Sequence, residues 1–161
     1  MRMMGKIKGV ALAIALLVGV CLQSFGMSIP RKVLRQMNSM FPNAEQVDWR
    51  RNHGYEANFR VDNKTGSVIF NHRGNVLYSK MDVALNELPI SVTNSLNSGF
   101  IGNGYEPETA MHRWSARDGE AYDVMVNKGM DEYLLRYSPD GALISQYDMS
   151  KIDRGPRASR F

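Results

Sequence analysis

The feature of this sequence that most restricts its fold is that it runs through one pattern twice. Ile29-Pro30 opens a stretch that ends at Phe41, and 59 residues further on Leu88-Pro89 opens one that ends at Phe100. Val33, Met37 and Phe41 fall on Val92, Leu96 and Phe100 at that offset. Val47-Asp48-Trp49 meets His112-Arg113-Trp114 at an offset of 65, and Tyr55 to Phe59 meets Tyr122 to Val126 at 67. Phe70-Asn71-His72-Arg73-Gly74 then meets Tyr137-Ser138-Pro139-Asp140-Gly141, still at 67. The offset grows only around Gly102-Asn103-Gly104 and Arg117-Asp118-Gly119, where loops absorb insertions. Self-similarity at this period reads as one supersecondary unit used twice.

Within each unit the hydrophobic period changes from helical to alternating. Ser28 is a candidate cap, Pro30 suits a first helical turn, and Val33, Leu34, Met37, Met40 and Phe41 form one apolar stripe before Pro42 stops the helix. The second helix starts from Pro89 with a thinner stripe of Val92, Leu96 and Phe100, and Gly99 weakens its last turn. Beyond each helix, alternation predicts strands. Tyr55, Ala57, Phe59 and Val61 face one way and Glu56, Asn58 and Arg60 the other. Val68 and Phe70, then Val76 to Tyr78, continue the first unit; Tyr122 to Val126, Tyr133 to Tyr137 and Leu143 to Tyr147 form the second. Shorter strands are expected at Val47 to Trp49 and Met111 to Trp114. The expected fold class is α+β, as two tandem repeats over 27–87 and 88–150. Each is a helix followed by about four antiparallel strands, with the helices packed on one face of the sheet.

The ends of the chain are of another kind. Residues 1–26 have the make-up of a signal peptide: Arg2, Lys6 and Lys8 precede an apolar run from Val10 to Leu22, and Ser24 and Gly26 supply the small residues of a cleavage site. That run is shorter than the ~20 residues a membrane-spanning helix needs. The expected destination is the periplasm or the exterior, with no membrane span after cleavage. Cys21, the one cysteine, leaves with the leader, and Val20 before it disfavours lipidation there. The 135 residues that remain have no disulfide and must hold together by packing. Residues 151–161 lack periodicity and read as a disordered basic tail.

Charge follows the same segmentation. The formal net charge of +4 includes +3 from the leader and +3 from residues 151–161. Residues 27–87 carry nine bases against six acids, and residues 88–150 four bases against nine acids. The body between leader and tail is therefore slightly acidic, with halves of opposite sign. A nucleic-acid binder would concentrate its basic excess on one folded face, so nucleic acid is excluded as a partner. The asymmetry suits the orientation of a protein partner or a second copy.

No catalytic constellation stands out. There is no G-x-S-x-G turn, the only thiol lies in the leader, and His53, His72 and His112 have no second histidine at metal-ligand spacing. The glycines Gly99, Gly102 and Gly104 follow a helix rather than lead into one, which is not a phosphate loop. The chain is read as no enzyme, with no cofactor and no metal. Asn63-Lys64-Thr65 matches the glycosylation sequon and reads as a plain turn. The candidate partner-binding surface is the sheet face away from the helices: Glu56, Asn58, Arg60, Ile69, Asp123, Met125, Leu134 and Arg136, a mixture of apolar and charged groups of the kind found at protein interfaces. The alternative is a sensor of a small ligand or an envelope polymer, with a cleft between helix and sheet lined by Tyr55 and the two aligned tryptophans, Trp49 and Trp114.

Several of these passages carry a family resemblance. A leader, then Ile29-Pro30 with a helix to Phe41-Pro42-Asn43-Ala44, then Val47-Asp48-Trp49, then Gly54 to Phe59 and Phe70-Asn71-His72-Arg73-Gly74-Asn75, resembles the PepSY-like, or beta-lactamase-inhibitor-like, family of small exported bacterial proteins. The resemblance spans about 29–149; in the second unit Gly102-Asn103-Gly104 interrupts the loop and no proline follows Phe100. It implies a non-enzymatic periplasmic or secreted binding module without cofactor, an inhibitor or regulator of another envelope or secreted protein.

Overall fold

The computed structural model describes residues 28–51 and 53–151. Residues 1–27, which include the expected signal peptide and Cys21, and the residues beyond Lys151, read as a basic tail, lie outside the described residues. The chain runs through helix α1 (Arg31–Met40), strands β1 (Glu45–Arg51), β2 (Tyr55–Val61), β3 (Lys64–Phe70) and β4 (Val76–Val83), and a 3-10 turn at Leu85–Glu87. Helix α2 (Ile90–Gly99) and strands β5 (Glu106–Ser115), β6 (Gly119–Lys128), β7 (Asp131–Tyr137) and β8 (Leu143–Asp148) complete it.

The expected fold class needs correction. In place of two tandem helix-plus-four-strand repeats, the molecule is mostly one eight-stranded antiparallel sheet in the order β1 to β8, with two ten-residue helices beside it. The joint between β4 and β5 is the reason. These strands pair from Tyr78↔Ser115 to Val83↔Ala110 without a break, so the ladder passes through the place where a boundary was expected. Ladder hydrogen bonds left unpaired at that edge would be costly, and continuing the sheet satisfies them. β5 accordingly runs over ten residues rather than the short Met111 to Trp114 stretch, because it has a partner on both sides.

Local chemistry explains the joints. Asp62 and Asn63 both have positive φ (49° and 62°), and Val61 pairs with Lys64 across them, a two-residue hairpin of the kind short polar side chains tolerate. The sequon asparagine therefore sits in a tight turn. Between β3 and β4 the Asn71 Oδ1 accepts the N–H groups of Arg73 (2.9 Å) and Asn75 (3.0 Å), closing the turn around Gly74. α1 begins after Pro30 without a side-chain cap, so Ser28 does not serve as one.

The helices bury two clusters against the same sheet face. On α1, Val33 and Met37 meet Tyr55, Ala57, Phe59, Val68 and Phe70. On α2, Val92 and Leu96 meet Ala110, Val124, Val126, Leu135 and Tyr137. Register places these strand residues on one side of the sheet: Phe59 opposes Gly66, Gly66 opposes Met81, Met81 opposes His112, His112 opposes Tyr122 and Tyr122 opposes Tyr137. Residues directly opposite in a ladder share a face, so both described helices lie on this one side and neither covers the other.

Candidate protein-docking face

Strand alternation puts all eight sequence candidates on the helix-free face. Glu56 lies opposite Ile69, Asp123 opposite Arg136, and Met125 opposite Leu134. Asn58 and Arg60 follow Glu56 along β2, opposite Ser67 and Thr65. The eight do not form one cluster. Glu56, Asn58, Arg60 and Ile69 sit on β2 and β3, whereas Asp123, Met125, Leu134 and Arg136 sit on β6 and β7, and the whole widths of β4 and β5 separate them.

The strongest electrostatic feature of this face is an ion cluster centred on Asp123, whose exposure is only 9%. Its carboxylate accepts hydrogen bonds from Arg136 Nε at 2.7 Å and Nη2 at 2.9 Å, a bidentate pair, and Arg113 Nη1 lies 4.0 Å away. Hydrogen bonding to Asp123 holds the Arg136 guanidinium above its ordinary pKa, against a smaller opposing effect of burial. Each arginine is backed by an aromatic ring: Arg113 lies 5.3 Å from the Tyr78 centroid and Arg136 5.8 Å from that of Tyr147. Shielded charges locked to one another and to rings form a preorganised surface whose side chains lose little freedom on binding.

Reading the sequence found Asp123 and Arg136 but missed Arg113, Tyr78, Lys80 and Tyr147. Their register positions carry the signal. Tyr78 opposes Ile69 and Ser115, Lys80 opposes Ser67 and Arg113, and Tyr147 opposes Leu134, so all four join the helix-free face. Only pairing across β4 and β5 shows it.

The cleft expected between helix and sheet takes a narrower form. Leu34, Met37, Asn38, Phe41, Pro42, Ala44, Val47 and Trp49 line a cleft of about 430 Å³ between α1 and the β1 edge. Trp49 belongs to it and packs on Phe70 at 6.3 Å between centroids, whereas Tyr55 is in the core and Trp114 stands on the sheet 37% exposed. His112 Nε2 lies 2.9 Å from Glu120 Oε1, and the His72 ring meets Tyr55 edge-on at 5.5 Å. Among the described residues, no three His, Cys, Asp or Glu side chains are placed to hold a metal ion. None of the described helices is long and apolar enough to cross a membrane.

A single eight-stranded antiparallel sheet with two helices on one side and an ion-paired opposite side has counterparts among solved structures. The chain is similar to a candidate periplasmic protein from Bacteroides eggerthii, with a TM-score of 0.66 and 19% identity over 78% of this chain and 92% of the other. It is similar to a BLIP-like protein from Bacteroides fragilis, also at 0.66 and 19%, over 77% and 89%. It resembles a DUF2874 family protein from Bacteroides ovatus at a TM-score of 0.65 and 27% identity, over 78% and 91%. The fold is thus of the beta-lactamase-inhibitor-like kind. No protein-family model matches the sequence, and no curated protein does.

Proposed function

We propose that this chain is an exported, non-enzymatic binding module of the bacterial periplasm, PepSY-like in descent, that holds another envelope or secreted protein against the helix-free face of its sheet. The observation that carries the reading is the Arg113–Asp123–Arg136 cluster, which is packed, ion-paired and backed by Tyr78 and Tyr147 on a face that neither described helix covers. Arginine and tyrosine in such settings dominate protein interfaces. The leader-like residues 1–26 support export, and the fold neighbours, one described as a candidate periplasmic protein and one as BLIP-like, support a periplasmic inhibitor or regulator.

The test is capture from envelope extract by the tagged chain and by variants of the face. Arg60→Glu and Met125→Asp are expected to release the captured protein while circular dichroism stays unchanged. Retention of every captured protein by both variants overturns the choice of face.

A second reading rests on the Trp49 cleft, whose walls of Leu34, Met37, Phe41 and Val47 suit a small apolar ligand. Thermal shift against a ligand panel separates the two: a ligand that binds only the folded chain raises the midpoint with concentration, and Trp49→Ala should abolish that rise. Absence of any shift removes the sensor reading.

A further inference from the structure

The middle of the helix-free face holds a charge imbalance that points to the chemistry of the partner. Lys80 on β4 and Arg113 on β5 are directly opposite in the ladder. Like charges in that position destabilise a sheet. Arg136 stands one strand further along beyond Asp123, so three cations converge on the sheet centre. The single carboxylate among them, Asp123, is committed to the two arginines. Asp82, two residues along β4 from Lys80, accepts the N–H of Thr65 at 3.2 Å on the opposite side of its strand from Arg113. Among the described residues no carboxylate comes within 4.0 Å of the Lys80 ammonium. The excess is local, since the half of the chain to which Arg113 and Arg136 belong has nine acids against four bases.

We propose that the Lys80–Arg113 seam is the docking point for an acidic side chain of the protein partner. The inference rests on the reading of the helix-free face as the binding face and supplies that partner's chemistry. A carboxylate placed over the seam relieves the repulsion between Lys80 and Arg113 and accepts charge-assisted hydrogen bonds from them. The surroundings favour a protein as its source. Ile69, Met111, Met125 and Leu134 share this face with Tyr78 and Tyr147, all partly exposed, which provides apolar contact on both sides of the cations for residues that flank the acid. The occupant is therefore an acidic residue in an apolar or aromatic segment that lies across β4 to β7.

The probes are an end-capped Leu-Glu-Tyr-Glu-Leu peptide, the same peptide with Gln for Glu, and inorganic phosphate, each titrated into the isotope-labelled exported chain and followed by amide chemical shift. The acidic peptide is expected to move Tyr78, Lys80, Arg113 and Arg136, with the glutamine peptide and phosphate weaker by about tenfold or more. Lys80→Glu, at an exposed position outside the ion pairs of Asp123, should reduce peptide binding by a similar factor, and Lys80→Arg should retain it. Equal binding of the two peptides, phosphate binding as strong as the peptide's, shifts centred elsewhere, or no shifts at all overturns the proposal. Capture of the natural partner keeps this failure distinct: if Met125→Asp releases it and Lys80→Glu does not, the face stands and the acidic partner falls. If neither releases it, the face itself is wrong.

Discussion

The two clusters beneath the helices solve one packing problem with different side chains. Under α1 the filling is aromatic: Phe59 and Phe70 are buried, the Phe41 ring packs at a 40° tilt against Phe59 with centroids 4.4 Å apart, and Trp49 leans on Phe70. Under α2 the buried strand residues are mainly branched aliphatics, Val124, Val126 and Leu135, and the ring pairs Phe100–Tyr105 and Tyr105–Tyr133 lie at the rim. Gly66 accounts for part of the difference. A Cβ there would come within 2.7 Å of the Phe59 ring, so the missing side chain on β3 is the space that the ring occupies. The lesson is that the same helix-on-sheet arrangement can be filled with different side-chain chemistry, provided that neighbouring positions make room, as Gly66 does for Phe59.

The contrast is testable by truncation. Phe59→Ala empties a ring-sized space and should cost about 3–5 kcal/mol in urea unfolding, whereas Val124→Ala should cost only about 2 kcal/mol. Equal losses would mean that the first cluster collapses around its cavity and that the aromatic filling is not what holds it.

Two turn glycines differ in what surrounds them. Gly141, at φ 89°, would place a Cβ 2.5 Å from the Ser91 carbonyl oxygen at the start of α2, so Gly141→Ala must move the helix off the turn. Gly119 also has positive φ, 77°, but open space around it. Its alanine variant should cost about 1 kcal/mol from backbone strain alone, and Gly141→Ala should cost clearly more, as read from thermal midpoints. A Gly141→Ala loss no larger than that of Gly119→Ala would show that α2 is loosely held.

Smaller effects are expected at α2 and at the 3-10 turn that precedes it. Gly99, last in α2, faces open space, so Gly99→Ala should stabilise the chain by about 0.5–1 kcal/mol. No gain would indicate that the end of the helix is frayed. Glu87 ties the 3-10 turn at Leu85–Glu87 to β3 through Lys64 Nζ at 2.6 Å and accepts the Ala84 N–H at 2.9 Å. Hydrogen bonding to Lys64, then to Ala84, lowers its carboxyl pKa below the ordinary value. A depressed carboxyl contributes stability that is present above its unfolded pKa and lost as pH falls through its folded one. Glu87→Gln should therefore lower the midpoint slightly at neutral pH, and the difference should vanish in acid. A difference independent of pH would show that the charge plays no part.

Much of this was legible in the sequence, for a physical reason. Helical spacing at Val33 and Met37, and at Val92 and Leu96, is dictated by one buried stripe, and the structure buries those four. Alternation from Tyr55 to Phe59 and from Tyr122 to Val126 similarly dictates which residues face the helices. The eight candidates fell on one face because alternation is a property of each strand alone.

What was not legible depends on pairing between strands far apart in sequence. Periodicity within a segment is silent on whether β4 ends a unit or continues into β5, and the tandem-repeat reading failed there. The same ladder places Lys80 against Arg113 and Tyr78 against Ser115, so the centre of the face was invisible until its register was known. Which side of each element meets the core is written in the local pattern of residues, since burial of apolar surface acts residue by residue. The unbroken β4–β5 ladder and the charges that meet across it belong to the folded chain. Ladder hydrogen bonds and cross-strand Coulomb energies exist only between partners that folding has brought side by side.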